Sequence, residues 1–157
     1  MLLDRSHRHA VLSDFGLSRR TSALSEASPS GGSQRYMAPE LMFERFEYAS
    51  DVYSFALLMW TLAYDRLCFA EYSAPQVIFF VQSNPATFRP ALSAPPALDL
   101  STAAEVPKHI WEPLKELIQE CWHAETVCRP TMGEVVGLLH TFSVAPTAAS
   151  AAMSAAA

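Results

Sequence analysis

The sequence predicts a mainly α-helical domain that begins with a short β-hairpin. Two apolar runs, at positions 2–3 and 10–12, flank a polar stretch, which is the pattern of two short strands joined by a turn. Farther along, apolar residues either fill long uncharged runs or recur three and four positions apart, which is the spacing of buried and half-buried helices. The chain is long enough for one domain with a single core.

The first two helices are each predicted from a start signal. Pro39 precedes a short apolar run and suits the first turn of a helix, because that position needs no backbone N–H donor. Ser50 is the predicted N-cap of a longer helix that runs to about Asp65, and the Asp51 carboxylate is favourable in its first turn. No charge lies between Asp51 and Asp65, so this helix is expected to be buried on every side.

Two more helices are predicted in the second half of the chain, separated by an irregular connection. The first spans Pro75 to Gln82, and the connection, with five prolines, runs from Asn84 to Pro107. The next helix spans Ile110 to Ala124. Its apolar face comprises Ile110, Leu114, Leu117, Ile118 and Cys121.

The last helix has the clearest start signal. Thr131 precedes it and Glu134 lies three residues on, which is the pattern of a capping box. The Ala/Ser-rich tail over 143–157 has no apolar stripe that could pack against a core, so we expect it to be disordered. The predicted apolar stripe of the helix comprises Val135, Leu138, Leu139 and Phe142.

Composition and charge limit the classes of function. Half of the 157 residues are hydrophobic and the net charge is -5, so the chain lacks the basic surplus that attracts nucleic acids or anionic membranes. The longest uncharged apolar run is too short for a membrane span, which takes about 20 residues. Three cysteines without paired spacing suit a reducing compartment and predict no metal site. We therefore predict an intracellular, cytoplasmic protein.

Two tripeptides carry the strongest functional signal. Asp-Phe-Gly at 14–16 follows the second apolar run, and Ala-Pro-Glu at 38–40 lies downstream, with a Ser- and Gly-rich loop between them. Both belong to the signature set of protein kinases, in which an activation segment separates them. Their order and spacing in this chain favour that interpretation over two unrelated surface turns.

The flanking segments resemble the same family in more detail. The stretch 32–40 is similar to the substrate-docking loop of the tyrosine-kinase-like group of Ser/Thr protein kinases, and 50–55 resembles the start of that group's central helix. Cys-Trp at 121–122 and Arg-Pro-Thr-Met at 129–132 resemble the end of the domain. The resemblance covers residues 1–142. It implies the C-terminal lobe of the α+β protein kinase fold and ATP-dependent phosphoryl transfer to Ser or Thr of protein substrates.

The resemblance places the ATP and Mg²⁺ contacts near the N-terminal hairpin. Asp14 is implied as the carboxylate that holds Mg²⁺ against the ATP phosphates, because a hard cation takes oxygen ligands. Leu2 is implied as part of the apolar floor beneath the adenine ring. Phe15 is implied to pack under the N-terminal lobe, and Gly16 to let the backbone turn without a side-chain clash.

The activation and docking segment holds the next implied residues. Ser33 corresponds to a hydroxyl that contacts the catalytic aspartate, and a hydroxyl can both donate and accept. Tyr36 lies where tyrosine-specific kinases carry tryptophan, which favours Ser/Thr substrates. Arg19 corresponds to a basic residue that can pair with a phosphorylated activation loop; for any single serine of this loop, a solvated surface position is the simpler interpretation.

Structural contacts are implied as well. Glu40 and Arg129 correspond to a buried ion pair, and a planar guanidinium suits bidentate contact with a carboxylate. Asp51 corresponds to an acceptor of hydrogen bonds from the backbone of the catalytic loop, and it also fits a plain first-turn helix carboxylate. Thr61 replaces a glutamate that is frequent in the family, so no preference for basic substrates is predicted. The Pro-rich insert at 85–107 is longer than is typical.

Most of the residues that perform the chemistry in this family are expected upstream of Met1. The 157 residues contain no Gly-rich loop and no His-Arg-Asp motif. Without a base for the substrate hydroxyl and a lysine for the phosphates, this chain alone is expected to be inactive. The alternative is a catalytically dead, kinase-derived module that binds other proteins. The intact Asp14 and Gly16 favour the kinase fragment, because a module of that kind needs no Mg²⁺ ligand.

Overall fold

Four α-helices form the body of the molecule in the part of the chain that the structure covers. The computed structural model describes residues 2–3, 10–13, 15–18, 34–43, 45–92, 97–99, 104–105 and 108–144. The helices are α1 (Tyr48–Tyr64), α2 (Ala74–Ser83), α3 (Lys108–Cys121) and α4 (Met132–Val144). Short 3-10 turns occur at Phe15–Leu17, Gln34–Tyr36, Pro39–Phe43 and Thr126–Cys128. The predicted mainly helical fold is confirmed, and the helix expected at Pro39 is a 3-10 turn.

Two antiparallel hairpins complete the secondary structure of the described ranges. In the first, Leu2 lies opposite Val11 and Leu3 opposite Ala10, which confirms the predicted N-terminal hairpin. The second hairpin contains a bulge and lies within 84–107, which was wrongly predicted to be irregular throughout. A long connection leaves many backbone N–H and C=O groups that need partners, and a local ladder supplies them. The strands are β1 (Leu2–Leu3), β2 (Ala10–Val11), β3 (Ala97–Asp99) and β4 (Ala104–Glu105).

Helix α1 is the centre of the fold. Helix α3, strand β3 and two of the 3-10 turns pack against it, so its apolar run is covered on most sides. Trp60 donates its ring N–H to Ala91 O at 3.0 Å and stacks on Tyr64 at a centroid distance of 4.6 Å. Tyr64 in turn meets Trp111 of α3 edge-on at 5.7 Å. The buried residues of α1 are Ser50, Val52, Tyr53, Ala56, Leu57, Met59 and Trp60.

The start of α1 differs from the prediction. The helix begins at Tyr48, with Glu47 in the N-cap position, so Ser50 is not the cap. Ser50 is buried in the first turn, where its hydroxyl donates to Glu40 Oε1 at 2.7 Å. The Ser50 hydroxyl therefore does not cap the helix, as the local pattern predicted. It bonds instead to the Glu40 carboxylate, which the fold brings close. The predicted end is confirmed, because Asp65 closes the helix in the left-handed conformation with a φ of 47°.

Helix α2 matches its prediction with one extra residue at each end. Ser73 and Gln76 form a capping box at its start, and the Ser73 N–H donates to Gln76 Oε1 at 2.8 Å. Val77 and Val81 are buried on one face. This face packs against the turns that precede α1, so α2 lies beside the predicted docking loop.

Helix α3 is three residues shorter at its end than predicted and begins two residues earlier, at Lys108. Leu117, Ile118 and Cys121 of the predicted face are buried. The structure adds Trp111, which is also buried and which the predicted face omitted. Trp111 lies seven residues before Ile118 and therefore at the edge of the predicted face, where its ring is buried.

Helix α4 has the predicted start but not the whole predicted stripe. The Thr131 N–H donates to Glu134 Oε2 at 2.7 Å, and the Glu134 N–H donates back to the Thr131 hydroxyl at 3.3 Å. Val135 is buried, and Leu139 and Phe142 are partly buried. Leu138 is 42% exposed, contrary to the prediction, because α3 is the main element beside α4 within the described ranges. The disordered tail was predicted to begin at 143, which is wrong by two residues because 143–144 belong to α4; residues 145–157 lie outside the described residues.

The three cysteines are free thiols, as expected. Cys68 and Cys121 are buried, whereas Cys128 is exposed. Burial raises the pKa of Cys121 to about 12 and also raises the pKa of Cys68, so both remain protonated at neutral pH. Within the described ranges, none of the helices combines the length and apolar character that a membrane span requires.

Candidate functional site

A buried ion pair joins the segment before α1 to the connection between α3 and α4. Arg129 donates through Nη1 to Glu40 Oε1 at 2.7 Å and through Nη2 to Glu40 Oε2 at 2.9 Å. The Arg129 side chain has no exposed surface, and that of Glu40 is 10% exposed. The expected contact is therefore present and bidentate. Two parallel charge-assisted bonds between planar groups fix the orientation of both segments.

Neighbouring groups complete the hydrogen bonding of this pair. Arg129 Nη1 also donates to Ala49 O at 2.9 Å, and its Nε donates to His123 O at 2.8 Å. Burial raises the pKa of the Glu40 carboxyl, but hydrogen bonds from Arg129 and Ser50 outweigh this effect, and the pKa lies below its ordinary value. Glu40 is therefore ionised at neutral pH, and the start of α1 is held by a charged contact.

Tyr53 of α1 contacts two arginines. The guanidinium carbons of Arg89 and Arg129 lie 5.0 and 5.1 Å from its ring centroid, within cation–π range. Arg89 also donates through Nη2 to Trp122 O and to Pro85 O, each at 2.7 Å. The Tyr53 hydroxyl is buried without a hydrogen-bond partner among the described residues, and burial raises its pKa. Through its hydrogen bonds to Pro85 O and Trp122 O, Arg89 connects the chain after α2 to the end of α3.

The turn Gln34–Tyr36, which belongs to the predicted docking loop, is held against α1. The Ser54 hydroxyl donates to Tyr36 O at 2.8 Å. The hydroxyls of Tyr36 and Thr61 are hydrogen-bonded at 3.3 Å. Because the Thr61 hydroxyl donates to Leu57 O at 2.8 Å, Tyr36 is the donor in this contact. Both the backbone and the side chain of Tyr36 are therefore attached to one face of α1.

Arg35 attaches the same turn to a second element. Its guanidinium donates to Phe69 O and to Tyr72 O, the latter at 2.6 Å. These two carbonyls belong to the chain that leads from α1 into α2. The Cys68 thiol lies 4.0 Å from Arg35 O. The turn Gln34–Tyr36 is thus held between α1 and the start of α2.

The predicted ATP and Mg²⁺ contacts are described in part. Leu2 lies in β1, and Phe15, 66% exposed, begins the 3-10 turn that also contains the exposed Gly16. No group of three or more His, Cys, Asp or Glu side chains that could hold a metal ion occurs in the described ranges. The predicted site residues that lie outside the described residues are Asp14, Arg19 and Ser33.

Asp51 lies at the surface of the first turn of α1. Burial raises the pKa of its carboxyl, and none of the described residues donates a hydrogen bond to it. A raised pKa means that the protein around Asp51 disfavours the charged form. In the described part of the chain, Asp51 therefore has no contact that would explain a structural role.

Sequence reasoning missed three polar side chains at this site. Arg35 directly precedes Tyr36 in a predicted binding loop, and this position could have drawn attention to it. Arg89 stands in a Pro-rich connection, where no sequence pattern distinguishes it from a surface arginine. The pattern around Ser50 suggested a cap within its own helix, whereas the observed acceptor is Glu40, which only the fold brings near.

Known proteins match this chain over most of its length. The profile of the family described as protein tyrosine and serine/threonine kinase matches residues 1–139. A probable serine/threonine-protein kinase of Dictyostelium discoideum is 30% identical over 142 residues, which are 89% of this chain and 14% of that protein. The dual specificity protein kinase shkC of the same organism is 29% identical over 147 residues, which are 88% of this chain and 25% of that protein.

A human relative extends the comparison. Receptor-interacting serine/threonine-protein kinase 3 of Homo sapiens is 35% identical over 132 residues, which are 80% of this chain and 24% of that protein. The chain thus spans a quarter or less of the length of these three relatives. The matched part is the C-terminal portion of the kinase domain. With its motifs, its helical fold and a family profile that matches nearly the whole sequence, the chain belongs to the protein tyrosine and serine/threonine kinase family.

Proposed function

We propose that this chain is the C-terminal part of a catalytic domain that transfers the γ-phosphoryl group of ATP to Ser or Thr of other proteins. The observation that carries the proposal is the buried, bidentate Glu40–Arg129 pair. It attaches the end of the proposed docking loop to the helical body. Phosphoryl transfer depends mainly on positioning, so a loop that presents a peptide must be held rigidly.

In the proposed domain, Asp14 contributes a carboxylate to Mg²⁺, and Leu2 contributes to the adenine pocket. Mg²⁺, when bound, neutralises charge that develops on the ATP phosphates. A single carboxylate suits this ion, because Mg²⁺ keeps several waters and takes one or two carboxylates. The position of Asp14 between β2 and the turn at Phe15 supports the assignment. The exposed Phe15 ring offers an apolar surface to an N-terminal lobe.

The proposed substrate contacts lie in the docking loop. Ser33 is proposed to contact the catalytic aspartate, and Arg19 to pair with a phosphorylated residue of the activation loop. Tyr36 supports Ser/Thr rather than Tyr substrates, because it takes the place of the tryptophan of tyrosine-specific kinases. Asp51 is proposed to accept hydrogen bonds from the catalytic loop, which would use the carboxylate that has no donor among the described residues.

The chain alone is proposed to be inactive. Its sequence contains no His-Arg-Asp motif and no Gly-rich loop, and we propose that residues upstream of Met1 supply them. The proposed partial kinase domain ends with α4, two residues beyond the predicted boundary at 142. We propose an intracellular location, where ATP and protein substrates are found. The free, exposed thiol of Cys128 supports a reducing compartment.

The test compares this chain with a longer protein that includes the coding sequence upstream of Met1. With Mg²⁺-ATP and a mixed protein substrate, the longer protein should form phosphoserine or phosphothreonine, and the chain alone should not. Asp14→Asn should abolish the activity of the longer protein. The matched control is Asp65→Asn, an exposed aspartate in the left-handed conformation, which asparagine also tolerates. Mainly phosphotyrosine, or activity that survives Asp14→Asn, would contradict the proposal.

One observation favours the alternative of a protein-binding module without catalysis. Met59 is buried and Phe55 and Leu58 are partly buried, so α1 keeps most of its cover within the described chain. Among the large apolar side chains of this helix, Tyr48 and Leu62 are the exposed ones, at 76% and 62%. A monomer with one sharp thermal transition, and a longer protein without kinase activity, would favour the module over the kinase fragment.

A further inference from the structure

The chain between α1 and α2 contains a turn with an unusual backbone. Phe69 has a φ of 53°, in the left-handed region that bulky residues rarely adopt. Its carbonyl accepts the N–H of Tyr72 at 3.0 Å, which closes a four-residue turn. Conformations of this kind persist only where the surroundings hold them in place. The contacts that hold this turn therefore indicate its role in the fold.

Aromatic packing holds the turn on one side. The Phe69 ring stacks on Phe88 at a centroid distance of 4.9 Å. The Tyr72 ring meets Phe80 of α2 and Phe88 edge-on, at 5.3 and 5.4 Å. Ser73 follows directly and begins the capping box of α2. The geometry of the turn thus sets where α2 starts.

Arg35 holds the turn from the docking loop. Its Nη1 and Nη2 donate to Phe69 O and Tyr72 O, the first and last carbonyls of the turn. A planar guanidinium can reach two such acceptors at once, whereas the ammonium of lysine is a single point charge on a flexible stem. Arg35 lies 34 and 37 positions before the two residues whose carbonyls it contacts. It therefore joins two segments that are not neighbours in sequence.

We infer that Arg35 is a positioning residue that makes the turn at 34–36 and the turn at 69–72 one cooperative unit. The turn at 34–36 then opens and closes together with the start of α2. A change at α2, such as a partner that binds there, would reach the loop through this guanidinium. This inference rests on the proposed function only for the docking role of the loop. The coupling between the two turns does not depend on kinase activity.

Amide hydrogen exchange of the whole chain tests the coupling. Arg35→Met removes both donors and keeps an apolar stem, so exchange should become about ten-fold faster at 34–41 and equally at 69–77. Arg35→Lys should restore part of the protection, to about a three-fold change, because one ammonium replaces the fork. The matched control is Arg45→Met, at an exposed arginine in the same region, which should leave both segments unchanged.

A reciprocal variant keeps the test decisive if Arg35→Met fails to fold. Ser73→Ala removes the hydroxyl that donates to Gln76 Oε1 at 2.9 Å, which weakens the capping box and loosens the start of α2, and coupling is reciprocal. Exchange at 34–41 should then rise together with exchange at 69–77. Unchanged exchange at 34–41 in this variant, or faster exchange confined to 34–36 in Arg35→Met, would overturn the inference. The measurement needs no catalysis, so its failure and a lack of kinase activity in the longer protein are distinguishable.

Discussion

Helices α1 and α4 are similar in composition but lie in different surroundings. Each is rich in apolar and small residues and carries one acidic residue, Asp51 in α1 and Glu134 in α4. Seven residues of α1 are buried, whereas Val135 is the buried one among the α4 side chains that the structure describes. Several elements surround α1, and α3 is the main neighbour of α4. An apolar sequence therefore permits burial, and the number of packing neighbours decides it.

The two helices also begin in different ways. The start of α4 is local, since Thr131 and Glu134 bond to each other across three residues. The start of α1 has no side-chain cap and depends on Glu40 and Arg129, which are 89 positions apart. Changes at the start of α1 should therefore affect the whole fold, and changes at the start of α4 should remain local.

Removal of Arg129 should have the largest effect. Arg129→Ala leaves the Glu40 carboxylate buried without its partner, and the free energy of unfolding should fall by about 3–5 kcal/mol. Urea titration followed by circular dichroism measures the loss. The matched control is Lys115→Ala, which breaks the surface pair with Glu112 and should cost about 1 kcal/mol or less. Equal losses in both variants would refute a central role for the buried pair.

Truncation of a leucine in each helix should sharpen the comparison. Leu57 of α1 is fully buried, so Leu57→Ala should cost about 2–5 kcal/mol through lost contacts and a cavity. Leu138 of α4 is 42% exposed, so Leu138→Ala should cost less, about 1 kcal/mol. Thermal unfolding of the two variants side by side gives the difference. Similar midpoints would show that α4 is covered in solution.

Loss of the α4 cap should have a moderate and local effect. Thr131→Ala removes the hydroxyl partner of Glu134 and should cost about 1 kcal/mol. Hydrogen exchange should become faster at the first amides of α4 and stay unchanged in α1. Thr131→Ser retains the hydroxyl and is the conservative control. Faster exchange throughout α1 in Thr131→Ala would contradict the view that this start is local.

Acidic pH should destabilise the start of α1 by protonating Glu40. Its pKa is lower in the folded chain than in the unfolded one, so its stabilising contribution is complete above the unfolded pKa and is lost as pH falls through the folded pKa. Ser50→Ala removes one hydrogen bond, costs about 1 kcal/mol and raises the folded pKa, so the lower end of this window should move to higher pH. Stability measured against pH for wild type and Ser50→Ala tests this, with Glu112→Gln as the control. Identical pH profiles for wild type and Ser50→Ala would show that the Ser50–Glu40 hydrogen bond does not stabilise the ionised carboxylate.

The smallest effect is a gain of stability in α4. A Cβ at Gly137 would meet no atom within 4 Å, because this residue lines an open groove beside α3. Gly137→Ala should therefore raise the free energy of unfolding by about 0.5–1 kcal/mol through helix propensity alone. Chemical denaturation measures it. A loss of stability would mean that the groove is filled in solution.

Much of the fold could be predicted because its signals act over a few residues. The capping box at Thr131, the end of α1 near Asp65 and the apolar runs of the first hairpin all depend on neighbours in sequence. The Glu40–Arg129 contact could be expected only because the motifs around both residues resemble a known family. Trp111 and Leu138 were misjudged because a helical pattern shows which residues share a face but not how far the neighbouring helix extends.

The amino-acid sequence by itself determined the helical segments, the cap of α4 and the family of the chain, because each depends on a pattern of residues close together in sequence. Only the tertiary structure decided that Ser50 bonds to Glu40, that Arg35 spans the turn at Phe69, and that α1 is covered while α4 is open. The physical reason is the short range of hydrogen bonds and packing contacts. Partners far apart in sequence interact only where the helices cross, and the crossing depends on all elements together.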